Sequence, residues 1–189
     1  MSFNVAHITS PMPGQKANGD AILVRRQGDD CVLVAVIDGL GHGPVAAEAS
    51  KAATARLEEM SLDLPVLEAM LMVHESLGQT RGAAGTLCLL RGRHIEACAV
   101  GNVLLSSSGS SVPIVLSPGV LGHRVPKFRV CSAELRPGTR LALASDGIST
   151  RFRLEEFERM APADACKAIF ARHRKMEDDA TILIADMDG

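Results

Sequence analysis

The sequence predicts an α+β layered protein with mainly antiparallel sheets, an arrangement that two sheets with helices outside them would satisfy. Strand-like runs come in neighbouring groups, and helical patterns are bunched between these groups instead of alternating with single strands. The chain has 189 residues, which is enough for one compact domain with a substantial core and short for two. We therefore expect residues 1–189 to form a single domain.

The first two strand-like runs predict a hairpin. Residues 21–26 and 31–37 are mostly apolar, and the four residues between them, Gln-Gly-Asp-Asp, are typical of a turn. The sheets are therefore expected to begin with antiparallel strands.

Two helices are predicted to follow in sequence. The helical period starts after Gly43, since Pro44 suits a first helical position and apolar residues return to one face as far as Met60. A second periodic segment follows Pro65 and ends before Gly78.

The rest of the chain returns to strands and then ends with helices and a last strand. A turn signal at residues 136–138, Arg-Pro-Gly, predicts that the strands on either side of it form another hairpin. Residues 154–160 and 162–173 are predicted helices. The predicted strands are residues 85–91, 94–100, 103–106, 112–116, 127–135, 139–145 and 181–187.

The composition argues against several classes of protein. The chain is 47% hydrophobic and 22% charged with a formal net charge of −2, so disorder is not expected. Its 20 basic residues are scattered and 3% of its positions are aromatic, so no nucleic-acid partner is expected. No run approaches the roughly 18 apolar residues of a membrane span, and the first residues do not resemble a leader, so neither membrane insertion nor secretion is expected.

The cysteines predict reduced core residues. They are odd in number, widely spaced and mostly embedded in apolar runs, and no Cys-x-x-Cys pair occurs. This pattern favours a cytoplasmic location over a disulfide framework or a zinc site. The five are Cys31, Cys88, Cys98, Cys131 and Cys166.

Carboxylates at the ends of apolar runs predict a metal site. The clearest is Asp38, where a buried apolar run stops in a glycine-dense turn. A carboxylate in such a place is costly to desolvate unless a cation or several donors meet it, and Mg²⁺ and Mn²⁺ prefer oxygen ligands. A single Asp-Gly is more often a turn, but several such sites together favour a metal centre. The others are Asp20, Asp146 and the pair Asp178-Asp179.

Such a centre would suit phosphate ester hydrolysis. Two ions roughly 3.5–4 Å apart would share one carboxylate, lower the pKa of a shared water and hold a phosphoryl oxygen for in-line attack. Glycine after Asp38 lets the backbone turn tightly and can expose the Gly39 carbonyl as a further ligand.

Six motifs follow one another along nearly the whole chain. They are Gly19-Asp20, Asp38-Gly39-Leu40-Gly41-His42-Gly43, Gly85-Thr86, Val100-Gly101-Asn102, Ser145-Asp146-Gly147 and Asp178-Asp179-Ala180-Thr181. This ordered set resembles the metal-dependent PPM serine/threonine phosphatases, which are related to protein phosphatase type 2C. The Asp-Gly-Leu-Gly-x-Gly form and the Val-Gly-Asn are most like the bacterial branch that contains SpoIIE and RsbX.

The resemblance implies an α-β-β-α sandwich, with two mainly antiparallel sheets flanked by helices and two Mn²⁺ or Mg²⁺ ions at one end. It implies that Asp38 bridges both ions and that Gly39 contributes its carbonyl oxygen. Asp20 would act directly or through a bound water, and Asp146 and Asp178 would complete the shell of the second ion. Asp38 and Asp146 are the residues on which catalysis is expected to depend.

Two positions depart from the family pattern. Many relatives have a histidine directly after this Asp-Gly, where the chain has Leu40; His42 is the alternative candidate, against the simpler interpretation of an exposed residue at a helix start. An arginine before the first metal aspartate is also absent, and Lys16 is the nearest candidate to steer a phosphate, against a solvated loop lysine. Asp179 is expected to support the site rather than to bind metal.

The resemblance implies a phosphatase that hydrolyses phosphoserine or phosphothreonine by metal-activated water. Its implied substrate is a phosphorylated STAS-domain protein of the stressosome, so that dephosphorylation ends a stress signal. Two alternatives remain open, a noncatalytic phosphatase-like binding module and a small-molecule phosphatase. Crowded carboxylates argue against the first, because a binding module has no chemical need for them. Few basic residues near the motifs argue against the second.

Overall fold

The computed structural model describes residues 2–188, which form nine strands and three α-helices. The strands are β1 (Phe3–Ser10), β2 (Asp20–Gln27), β3 (Cys31–Gly39), β4 (Ala83–Arg91), β5 (His94–Val100), β6 (Leu104–Ser108), β7 (Val130–Glu134), β8 (Arg140–Ala144) and β9 (Ala180–Met187). The helices are α1 (Pro44–Glu59), α2 (Val66–Ser76) and α3 (Pro162–His173), with a short 3₁₀ helix at Leu154–Phe157.

The strands form two antiparallel sheets that stack face to face. The five-stranded sheet has the order β2-β3-β4-β5-β7, and the four-stranded sheet has the order β1-β9-β8-β6. Helices α1 and α2 pack on the outer face of the first sheet, and α3 packs on the outer face of the second. The predicted fold class, an α-β-β-α sandwich, is confirmed.

Three apolar layers hold the sandwich together, one between the sheets and one under the helices on each side. Strand β3 lies between two of these layers, which explains its continuous apolar run. Because side chains alternate along a strand, successive residues of β3 enter different layers. Leu33, Ala35 and Ile37 face the helices, and Val32, Val34 and Val36 face the other sheet.

Helix α1 begins where β3 ends, and its close approach depends on a glycine. Pro44 occupies the first helical position, as the sequence predicts. A methyl group added to Gly39 would lie 2.1 Å from the Ala46 carbonyl oxygen in α1. Only a residue without a side chain lets the helix pack against the end of the strand that carries Asp38.

Most predicted elements are confirmed, including the β2–β3 hairpin, both helices after residue 43 and α3. The hairpin predicted at residues 136–138 is wrong, because β7 belongs to the five-stranded sheet and β8 to the other. The strand predicted at residues 112–116 is also wrong, since the Ile114 amide donates to the Val112 carbonyl in a tight turn. The helix predicted at residues 154–160 is a four-residue 3₁₀ helix, and β1 was not predicted.

The five cysteines are free thiols, as predicted. Cys88, Cys98 and Cys166 are buried, and burial raises the pKa of Cys98 to about 11 and that of Cys166 to about 12. None of the helices within residues 2–188 has both the length and the apolar character needed to cross a bilayer.

Candidate metal centre and active site

Four of the predicted carboxylates meet at one end of the sandwich. Asp20 and Asp38 are directly opposite each other in the β2–β3 ladder. Asp146 follows β8 by two residues and Asp178 precedes β9 by two, so the antiparallel β8–β9 pair brings both to one end. The Ser145 hydroxyl donates to Asp20 Oδ2 at 2.7 Å and so joins the two sheet ends.

The carboxylates border a cleft of about 430 Å³. Asp38, Asp146 and Asp178 line it, whereas Asp20 lies deeper and is 6% exposed. Most of the remaining wall comes from four segments: the loop after β3, the loop after β5, the turn before β9, and the segment that follows residue 118. Its other lining residues are Leu40, Gly41, His42, Ala84, Gly101, Asn102, Gly119, Val120 and Glu177.

The electrostatics of this cluster favour a bound cation. Burial, followed by the charges of Asp20, Asp146 and Asp178, raises the pKa of Asp38 to about 9. Burial also raises the pKa of Asp20 to about 6, although hydrogen bonds from Ser145 and Thr181 oppose the change. The pKa of Asp178 is raised by burial and then by the charge of Asp146. Without a cation, these carboxylates therefore compete for protons instead of all being ionised.

Two polar side chains that the sequence analysis did not assign hold the carboxylates in place. Asn102 Nδ2 donates to Asp146 Oδ2 at 2.7 Å, and Ser145 Oγ both donates to Asp20 and accepts from the Thr181 amide at 3.0 Å. Both residues lie within the quoted motifs, and Ser145 directly precedes Asp146 in the sequence, which was the available signal for that residue. Their partners became visible only in the folded chain.

Asp178 and Asp179 have different surroundings. Asp178 lines the cleft, whereas Asp179 is 2% exposed and accepts hydrogen bonds from the Met12 amide at 2.7 Å and the Gly19 amide at 2.9 Å. The carboxylate of Asp179 therefore ties the loop before β2 to the start of β9 and fixes where Asp20 enters the sheet. A ligand role for Asp178 and a supporting role for Asp179 agree with this geometry and stay predictions.

The two candidates for proton transfer and phosphate steering lie in different places. His42 is exposed and lines the cleft beside Leu40. Lys16 is exposed and is not part of the cleft wall. The roles of both residues remain predictions, and the position of His42 suits its role better than the position of Lys16 does.

The donor set fits a hard divalent cation. Within residues 2–188, no group of three His, Cys, Asp or Glu side chains is already arranged closely enough to hold a metal ion. The four carboxylates nevertheless offer only oxygen donors and repel one another. Mg²⁺ or Mn²⁺ bound among them would offset that repulsion.

Comparison with known proteins assigns the family. A sequence model of the family described as Stage II sporulation protein E (SpoIIE) matches residues 28–188. The chain belongs to this family. The phosphoserine phosphatase RsbX of Bacillus subtilis (strain 168) is 26% identical over 183 residues, which cover 92% of this chain and 89% of RsbX.

Solved structures show the same fold. A chain from work on the bacterial stressosome, described as a modular system adapted to control secondary messenger signalling, is 27% identical with a TM-score of 0.90. That match covers 98% of this chain and 100% of the other. A crystal structure of RsbX in complex with magnesium is 20% identical with a TM-score of 0.86, covering 98% and 96%. The predicted class, that of PP2C-type metal-dependent phosphatases of the SpoIIE and RsbX branch, is confirmed by family and fold.

Proposed function

We propose that this chain is a metal-dependent protein phosphatase that hydrolyses phosphoserine or phosphothreonine. The observation that carries the proposal is the convergence of carboxylates from two sheets on one open cleft, where burial and then the neighbouring carboxylates raise the pKa of Asp38 to about 9. A fold retains such an unfavourable cluster when a cation uses it. We also propose that residues 1–189 act as one catalytic domain, since a single apolar layer joins the two sheets.

Asp20, Asp38, Asp146 and Asp178, with the Gly39 carbonyl, are the proposed ligands of two Mn²⁺ or Mg²⁺ ions. When bound, these ions supply Lewis acidity, which lowers the pKa of water and withdraws charge from a phosphoryl group. The similarity to RsbX, whose structure contains magnesium, supports this choice of ion.

The chain's own residues organise the site. Asn102 orients the Asp146 carboxylate, and Ser145 holds Asp20 in place from the neighbouring sheet. His42 lines the cleft beside the proposed position of the phosphoester and is the proposed proton donor to the leaving group. The cleft is open to solvent, so a phosphorylated side chain on a protein surface can enter it.

The proposed substrate is a phosphorylated STAS-domain protein of a stressosome, whose dephosphorylation would end a stress signal. Similarity to RsbX, named as a phosphoserine phosphatase, and to a chain from a stressosome study supports this substrate class.

Release of phosphate from a phosphorylated STAS-domain protein in the presence of Mn²⁺ tests the function. We expect turnover by the wild-type chain, a loss of at least about a hundredfold in Asp38→Asn and Asp146→Asn, and no change in the exposed-helix control Asp164→Asn. Circular dichroism would show that all variants fold. Absence of wild-type turnover on this substrate and on 4-nitrophenyl phosphate would instead favour a noncatalytic phosphatase-like binding module.

A further inference from the structure

A second groove lies directly beside the catalytic cleft. It has a volume of about 420 Å³ and shares Asn102, Asp146 and Glu177 with the cleft. Because the two spaces have these walls in common, a polypeptide whose phosphorylated residue occupies the cleft can extend into the groove.

The outer wall of the groove is preformed by backbone hydrogen bonds. Residues 147–151 run beside residues 173–175, where the Ser149 amide donates to the His173 carbonyl and the Lys175 amide donates to the Gly147 carbonyl, both at 2.8 Å. An isolated antiparallel bridge joins Ile148 to Arg174. The wall therefore exists before any ligand arrives, which lowers the entropic cost of binding.

The chemistry of this wall differs from that of the catalytic cleft. Arg151 and Lys175 are exposed, line the groove and form no ion pair with any carboxylate within residues 2–188. Ser149 and Thr150 add hydroxyl groups, and Ile148 contributes apolar surface. By contrast, Arg153, two residues beyond Arg151, lies 4.0 Å from a Glu155 carboxylate oxygen and does not line the groove.

The charges change sign along the groove. Asp146 and Glu177 make the edge shared with the cleft negative, whereas Arg151 and Lys175 make the outer part positive. A carboxylate on the substrate is therefore attracted to the outer part of the groove, beside Arg151 and Lys175. Cations, hydroxyl donors and a short apolar surface together suit the side chains of glutamate and aspartate.

We propose that this groove is a specificity subsite that binds acidic side chains of the protein substrate a few residues away from its phosphoserine. The proposal rests on the proposed phosphatase function and adds to it a preference among phosphoproteins. Arg151 and Lys175 are the specificity-determining residues, and they act on substrate binding instead of on the reacting atoms.

Matched phosphopeptides test the subsite. One has a phosphoserine, one neutral spacer residue and then two glutamates; a second has the glutamates on the other side; a third has glutamines in their place. With Mn²⁺ we expect kcat/KM for one acidic peptide to exceed that for the neutral peptide by about three- to tenfold, with the difference mainly in KM. The preference should fall as KCl is raised from low concentration towards about 0.5 M.

Variants assign the preference to the groove. Arg151→Gln and Lys175→Gln should each reduce it, and the double variant should remove it while turnover of the neutral peptide and of 4-nitrophenyl phosphate stays within about twofold. Arg153→Gln is the matched control and should keep the wild-type preference. Equal turnover of all three peptides by the wild-type protein, or an unchanged preference in the double variant, would overturn the proposal.

The experiments distinguish failure of the subsite proposal from failure of the proposed phosphatase function. Turnover of the neutral peptide without discrimination rejects the subsite and leaves the phosphatase function standing. If the wild-type protein hydrolyses none of the substrates, the phosphatase function fails. Fluorescence anisotropy of the same labelled peptides then decides the subsite: tighter binding of an acidic peptide that the double variant loses supports it, and equal binding rejects it.

Discussion

Replacing Asp38 by asparagine is expected to abolish phosphatase activity and, at the same time, to stabilise the metal-free protein. The carboxylate is largely shielded from water and lies among four other aspartates, so burial and the neighbouring charges raise its pKa to about 9. Asparagine has nearly the same shape and no charge. The substitution therefore removes a proposed metal ligand from the site and an unfavourable interaction from the fold.

The size of the stabilisation expected for metal-free Asp38→Asn follows from the linkage between protonation and folding. At pH 7 the unfolded chain has released the Asp38 proton, whose ordinary pKa is 3.8, whereas the folded protein retains it up to a pKa of about 9. Each pH unit between 3.8 and 7 corresponds to ~1.4 kcal/mol, which sets an upper limit of about 4 kcal/mol. The side chain is partly exposed, and solvent screens it, so we expect about 2 kcal/mol. In a chain of this length, that raises Tm by about 4–8 °C.

Thermal unfolding in EDTA at pH 7, followed by titration with Mn²⁺, measures both effects. The control is Asp29→Asn, in the exposed turn at the opposite end of the β2–β3 hairpin, and its Tm should stay within about 2 °C of wild type. Mn²⁺ should raise the Tm of the wild type and of this control but not that of Asp38→Asn. A metal-free Asp38→Asn protein that melts at or below the wild-type temperature would refute the electrostatic reasoning.

Three further predictions concern the same end of the sandwich. The stabilisation of the wild type by Mn²⁺ should be larger at pH 8 than at pH 5. The metal-free fold loses stability as pH rises from the ordinary aspartate pKa of 3.8 towards the raised pKa values of Asp20 and Asp38, about 6 and about 9, and a cation restores it. Asp179→Asn should lower the free energy of unfolding in urea by about 1–3 kcal/mol and weaken Mn²⁺ binding, because one of two backbone amides loses its acceptor. Gly39→Ala should cost about 1–3 kcal/mol in the same assay, since its methyl group would lie 2.1 Å from a carbonyl oxygen of α1.

A defined result would contradict each of these predictions. An equal Tm gain from Mn²⁺ at pH 5 and pH 8 would contradict the assigned pKa directions. An unchanged urea midpoint in Asp179→Asn would show that its two hydrogen bonds do not hold the loop before β2. Gly78→Ala is the match for Gly39→Ala, because its added methyl group would lie 3.7 Å from the nearest atom; equal stability losses in the two variants would argue against a steric cause.

The sequence was sufficient to predict an element wherever neighbouring residues alone explain its structure. The apolar run of β3 is buried on both faces, and a proline at the first helical position starts α1, so both were predictable from neighbouring residues. The carboxylate motifs were equally visible, because an aspartate at the end of an apolar run needs a partner wherever the chain goes. Family membership followed from the order of those motifs and is confirmed.

Local pattern failed where a strand depends on a distant partner. Strand β1 exists because it pairs along its whole length with β9, at the other end of the chain. The turn at residues 136–138 has the composition of a hairpin, but the strands that it joins pair with different neighbours and belong to different sheets. Residues 112–116 are apolar enough for a strand and find no such partner within the described chain.

The sequence by itself predicted the chemical class of the site, since oxygen donors at strand ends favour a hard cation whatever the detailed packing. Tertiary structure alone decided how the adjacent Asp178 and Asp179 divide their roles: one borders the cleft, and the other is enclosed by the amides of Met12 and Gly19. It also placed Arg151 and Lys175 beside the catalytic cleft. Proximity between residues more than a hundred positions apart comes from sheet pairing and from the stacking of sheets, and neither is encoded in the spacing of residues along a chain.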